Sequence, residues 1–219
     1  MAELIVALDV PTLAEATALL DALRPDVRWF KIGLELFVAA GPDAVRAVKQ
    51  RGASVFLDLK LHDIPETMAR ATATAATLGA ELMTVHLGAG EAALRKVTAV
   101  SPRPRVVAGT LLTSLGRADA LAHVVGAARH ALLFGCDGVV ASAVEAPALR
   151  SALGDEFTLV TPGIRRSGAA PDDHARSATP AAAVLGGATY LVVGRPIRDA
   201  VDPRAAAREI LAEMRAARA

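Results

Sequence analysis

Short apolar, β-branched runs recur along the chain, with room for one helix between each pair. They lie at Leu4–Val10, Trp29–Leu34, Ser54–Lys60, Leu82–Leu87, Arg105–Leu112, Gly138–Ser142, Thr158–Thr161 and Tyr190–Gly194, and predict eight strands. Ala-, Leu- and Arg-rich stretches with helical spacing alternate with them, most clearly at Thr12–Leu23, Pro42–Arg51, Pro65–Leu78, Ala118–Phe134 and Pro203–Arg218. Thr12 and Asp202 stand where N-caps belong, and Pro42, Pro65 and Pro203 where a first helical turn tolerates proline. Gly52, Gly79, Gly135 and Gly187 follow helices, as C-terminal caps do.

The strands read as continuous apolar runs more than alternating ones, the pattern of strands covered by helices on both faces. Eight strands and eight helices in one chain of 219 residues predict a single (β/α)₈ TIM barrel domain, 1–219, at the short end of that fold's range. The competing architecture is an open doubly wound sheet. The first βα turn, Asp9-Val10-Pro11, has no glycine fingerprint for a dinucleotide and speaks against it.

Polar residues gather where the predicted strands end. Asp9 follows strand one, Lys31 lies on strand two, Asp58-Leu59-Lys60 closes strand three with His62 and Asp63 beyond, and His86 closes strand four. Thr110 to Ser114 follow strand five. Asp58 and Lys60, two apart, share one strand face with Leu59 on the other. Charges at the end of the run Val55-Phe56-Leu57 need partners, and Lys31 on the neighbouring strand completes an alternating Lys–Asp–Lys row. Two readings fit: a structural ion-pair network at the barrel mouth, or an ammonium held rigidly where negative charge develops.

Thr161-Pro162-Gly163-Ile164-Arg165 leaves strand seven and Gly194-Arg195-Pro196-Ile197 leaves strand eight. Loops at these places, with a short extra helix, frequently grip phosphate in (β/α)₈ barrels. Arg165 and Arg195 offer bidentate donors, although glycine ending a strand and arginine in an arginine-rich chain are also ordinary. The stretch 166–178 is long, polar and rich in small residues, which fits an active-site lid or mobile surface.

Composition sharpens this picture. Near-balanced charge, +1 overall, excludes a strongly basic nucleic-acid binder, and no apolar run is long enough for a membrane span. Met1–Glu3 leads into strand one with no basic region, so a secretory signal is not expected; the lone Cys136 cannot form an internal disulfide and fits a cytoplasmic protein. Cys136 reads as a buried apolar residue. There are 20 Arg against 4 Lys, no Asn and one Gln, a bias that either a GC-rich genome or selection against thermolabile amides produces. Against that background Lys31 and Lys60 stand out as compact ammonium groups. The five histidines form no H-x-x-x-H pair and no set with Cys136 at metal-ligand spacing. His123 and His130 read as surface or packing residues on a helix, and His86 as a pocket or a satisfied core residue.

With these motifs in order along the chain, the sequence resembles the orotidine 5′-phosphate decarboxylase family. The carriers are Asp58-Leu59-Lys60-Leu61-His62-Asp63-Ile64-Pro65-Glu66-Thr67, similar to its D-x-K-x-x-D-I signature, the two loops Val160–Arg165 and Val193–Ile197, and the strands Leu4–Asp9 and Phe30–Gly33. The resemblance implies cofactor-free loss of CO₂ from orotidine 5′-monophosphate to give UMP, with no metal. It implies Lys60 as general acid at C6, Asp58 beside the substrate carboxyl, and Lys31 and Asp9 on the ribose hydroxyls and the lysine row. Thr113 matches a base contact, and Pro162, Arg165, Gly194 and Arg195 match the phosphate grip. Asp63, Ile64 and Thr67 match the part that reaches into the other subunit's site, so a homodimer is expected. The chain departs from the family in its lid: where a glutamine usually bridges phosphate and base, Asp173-His174-Ala175-Arg176 places His174. Rival readings are a Mg²⁺-dependent sugar-phosphate lyase or synthase, commonly with an acidic residue on strand two where Lys31 stands, and a catalytically dead nucleotide sensor.

Overall fold

The computed structural model describes residues 2–110, 120–165 and 178–217. Eight parallel strands close into a barrel in chain order: β1 (Glu3–Ala7), β2 (Trp29–Ile32), β3 (Ser54–Leu61), β4 (Leu82–His86), β5 (Arg105–Gly109), β6 (Gly138–Val140), β7 (Thr158–Thr161) and β8 (Tyr190–Val193). Val6 of β1 sits opposite Phe30 of β2 on one side and Val193 of β8 on the other, which seals the ring. The helices are α1 (Leu13–Leu23), α2 (Leu34–Ala40), α3 (Pro42–Gln50), α4 (Pro65–Leu78), α5 (Glu91–Thr98), α6 (Ala120–Leu133), α7 (Ala146–Leu153), α8 (Pro180–Leu185), α9 (Arg195–Arg198) and α10 (Pro203–Ala216). None among the described residues is long and apolar enough to cross a membrane.

The continuous apolar strands divide by parity into two buried sets. Ile5, Ala7, Trp29, Phe56, Leu82, Val107, Val160, Tyr190 and Val192 fill the barrel interior. Their neighbours, including Leu4, Val6, Phe30, Val55, Leu57, Met83, Val85 and Leu159, lie under the helices. Each strand therefore buries both faces, and that is why periodicity of two is weak in the sequence. Gly138 shows how tightly the ring closes: a Cβ there would stand 1.9 Å from the Thr158 carbonyl oxygen on β7.

First residues of four strands plug the N-terminal end of the barrel. The Arg105 guanidinium stacks over the rings of Trp29 and Tyr190 and donates to Tyr190 Oη at 2.5 Å, while Trp29 Nε1 donates to Glu3 Oε2 at 3.2 Å. These two hydrogen bonds tie the strand starts together across the N-terminal end.

Local signals hold where they concern caps. Thr12 Oγ1 accepts the Glu15 N–H and Asp202 Oδ1 the Ala205 N–H, and α4 ends on Gly79 at φ +86°. Strand ends differ from expectation. β1 stops at Ala7, β2 at Ile32 and β6 at Val140, while Leu8 and Val10 stay buried beyond the end of β1. An apolar run reports burial, and pairing ends sooner. The expected ends of strand five and of the first turn of α6 lie outside the described residues, as does Arg218. Ten α-helices stand among the described residues where eight were expected. α2 is a separate helix, broken from α3 by Gly41 at φ +53° followed by Pro42, and α9 is the short extra helix after β8.

Candidate active site

Four charged side chains form one row at the C-terminal mouth. Lys31 Nζ donates to Asp9 Oδ1 at 2.7 Å and lies 3.7 Å from Asp58 Oδ2, and Lys60 Nζ donates to Asp58 Oδ1 at 2.9 Å. Strand parity builds it. Ala7, Lys31 and Phe56 are partners across β1, β2 and β3, and Asp58 and Lys60 continue the inward face beyond Phe56. The Asp58 side chain is 14% exposed and the Lys31 side chain 10%. At that burial each charge is tolerable only because an opposite charge touches it. Leu59 turns away and packs against the helix-facing core. Gly33 backs the row so closely that a Cβ would meet Asp9 Oδ1 at 2.7 Å and Lys31 Nζ at 2.8 Å.

β3 is irregular where it carries this chemistry. Leu57 pairs with Met83 and Leu61 with Val85, so Asp58, Leu59 and Lys60 stand opposite Thr84 alone. Lys60 takes φ +49°, the left-handed region, which costs a residue other than glycine about 1–3 kcal/mol. The Thr84 hydroxyl accepts the Lys60 N–H at 2.8 Å and donates to Asp58 Oδ1 at 2.9 Å. Sequence reasoning missed Thr84; its position on the inward face two residues after Leu82 was the available signal.

His86 and His62 stack in parallel beside the row, ring centroids 4.9 Å apart, with His86 Nδ1 accepting the Gly88 N–H. Burial pushes the His86 imidazole below its ordinary value, and the neighbouring His62 and the Lys60 ammonium push the same way. Thr110 does not join the row; its hydroxyl donates to the Val140 carbonyl. Burial pushes the Cys136 thiol up to about 12, which leaves it a packing residue. His123 and His130 are exposed on α6.

Asp63, Ile64 and Thr67 are exposed beyond the end of β3, where Asp63 Oδ1 accepts the Ile64 N–H. The loops after β7 and β8 leave neighbouring strands, paired through Val160 with Tyr190 and Thr161 with Leu191. Gly163, at φ +76°, turns the first loop so that the Arg165 N–H donates to the Ala178 carbonyl; Pro162 and the Arg165 side chain are half-buried there. Gly194 leads into α9, with Arg195 at its first position. A cleft of about 630 Å³, within the range of small-molecule sites, opens beside Asp9 between Pro11, Glu15, Glu35, Arg198 and Asp199. Thr113 and His174 lie outside the described residues. No group of three His, Cys, Asp or Glu among the described residues is arranged to hold a metal ion.

The chain is similar to orotidine 5′-phosphate decarboxylases in sequence and in fold. The orotidine 5′-phosphate decarboxylase of Moorella thermoacetica is 49% identical over 232 aligned positions, covering 97% of this chain and 92% of its own length. That of Anaeromyxobacter sp. (strain K) is 51% identical, covering 94% of this chain and 95% of its own. The crystal structure of the orotidine 5′-phosphate decarboxylase from Lactobacillus acidophilus superposes with a TM-score of 0.84 at 33% identity, over 98% of this chain and 99% of that one. The family model described as orotidine 5′-phosphate decarboxylase / HUMPS matches residues 2–210, and the chain belongs to that family.

Proposed function

We propose that the chain decarboxylates orotidine 5′-monophosphate to UMP and CO₂, a step of de novo pyrimidine biosynthesis, without a cofactor. The observation that carries the reading is the Asp58–Lys60 contact of 2.9 Å with Lys31 behind it. When the C6–carboxylate bond breaks, its electron pair stays on C6 and CO₂ leaves neutral. Negative charge thus disappears beside Asp58 and appears beside Lys60, so the row favours the transition state over the bound substrate. Lys60 Nζ, as general acid, then gives C6 its proton. Lys31 and Asp9 hold the ribose hydroxyls. Pro162, Arg165, Gly194 and Arg195 hold the phosphate, whose remote binding energy orients the base. Thr113 contacts the base and His174 takes the lid position.

Asp63, Ile64 and Thr67 of each subunit complete the other subunit's site in a cytoplasmic homodimer. In support, Ile64 is 65% exposed and, like Leu34 and Val38, is a large apolar side chain left in water by a single chain. A Mg²⁺-dependent sugar-phosphate lyase is disfavoured because the Lys31 ammonium already occupies the space between Asp9 and Asp58. The test is loss of absorbance of orotidine 5′-monophosphate with EDTA present. Turnover is expected, and activity only after Mg²⁺ is restored would overturn the reading.

A further inference from the structure

We propose that Thr84 is a positioning residue of the decarboxylation: its single hydroxyl ties the Lys60 backbone to the Asp58 carboxylate and so fixes where the Lys60 ammonium stands. The proposal rests on the decarboxylase reading above and deepens it. Three residues of β3 face Thr84 alone, so the Lys60 N–H lacks the backbone partner a regular ladder supplies. The Thr84 hydroxyl takes that place at 2.8 Å, which commits its own proton to Asp58 Oδ1 at 2.9 Å. Asp58 Oδ1 also accepts from Lys60 Nζ at 2.9 Å. The result is a closed ring, running from the Lys60 amide through Thr84 and Asp58 back to the same lysine's ammonium. Both ends of Lys60 are thereby held, and its left-handed backbone at φ +49° has a partner that keeps it there.

Thr84 is 1% exposed, one layer above Leu82 and Phe56 in the barrel interior. A hydroxyl so buried needs partners, and both of these come from the two residues that carry the chemistry. Valine keeps the shape of threonine but can neither accept nor donate. In Thr84→Val the ring opens, Lys60 leaves its left-handed conformation, and its ammonium shifts away from the reacting carbon. Misplacement on the scale of 1 Å costs about 100-fold in rate.

The experiment compares wild type, Thr84→Ser and Thr84→Val for kcat with orotidine 5′-monophosphate, for Kd of UMP, and for melting temperature. Serine, which keeps the hydroxyl, is expected to hold kcat within about threefold, while valine loses about 100-fold with UMP Kd unchanged within about twofold. If the valine chain does not fold, Thr84→Ala carries the same expectation as a second hydroxyl-free variant. A valine variant with wild-type kcat overturns the proposal, and so does an equal loss in serine and valine or a parallel loss of kcat and UMP affinity. An inactive wild type overturns the decarboxylase reading itself, a result distinct from an active wild type matched by an active valine variant.

Discussion

Gly33 presents its bare Cα to the Asp9 carboxylate, and a single methyl there would stand 2.7 Å from Oδ1. Its φ of −93° is open to any residue, so the glycine serves the close approach of the ion pair and not an unusual backbone. Gly33→Ala must push Asp9 and Lys31 aside. We expect kcat/KM for orotidine 5′-monophosphate to fall about 10- to 100-fold while the melting temperature changes little. Wild-type kcat/KM in the alanine variant would show that the row tolerates displacement.

Lys60→Ala tests the general acid. In the proposed mechanism the lysine acts on charge that exists only near the transition state, so turnover should fall by at least about 10³-fold with UMP binding largely kept. The measurement is kcat beside calorimetric titration with UMP. A parallel loss of affinity and turnover would assign Lys60 a structural role instead.

The proposed sharing of sites across a dimer gives a complementation test. Asp63 and Ile64 are exposed beyond the end of β3. Mixed Lys60→Ala and Asp63→Ala subunits should regain activity, because some heterodimers carry one intact site. Verified subunit exchange without recovered activity would refute sharing.

His86 gives a pH dependence with a definite sign. Burial, His62 and Lys60 hold its folded value below the ordinary 6.5. As pH falls below about 6.5 the unfolded chain takes up a proton that the folded chain refuses, so stability declines until the folded value is also passed. His86→Asn keeps an acceptor for the Gly88 N–H and does not titrate. Urea midpoints at pH 7.5 and 5.5 should drop further for wild type than for the variant; equal drops would remove His86 from the acid response.

The charged row was legible from sequence because its signal is a short-range one. Asp58 and Lys60 lie two apart after an apolar strand, and alternation alone puts them on one face. The left-handed Lys60 and the three-against-one pairing with Thr84 were not legible. A threonine between Met83 and Val85 reads as an ordinary strand former, and only the β3–β4 register reveals the hydroxyl's partners. α2 was missed for a related reason: Gly33 and Gly41 bracket Leu34–Ala40 and look like loop punctuation, yet one leaves room for the ion pair and the other turns the chain into α3. Eight strands were legible as apolar runs because helices cover their outer faces, while their C-terminal limits were blurred by apolar residues that stay buried beyond the strand ends.

The plug at the closed end of the barrel has a spectroscopic consequence. Trp29 is the only tryptophan in the chain and Tyr190 the only tyrosine, and their rings meet edge-on 5.0 Å apart beneath the same guanidinium. All indole emission therefore arises from one shielded fluorophore on β2, two residues from Lys31 but at the opposite end from the strand-end loops. Energy passed from Tyr190 to Trp29 reports on contact between β8 and β2, strands that lie on either side of β1. Loss of that transfer, with a red shift of the indole band, marks the moment the staves separate. The protein thus carries a built-in optical gauge of its own ring closure.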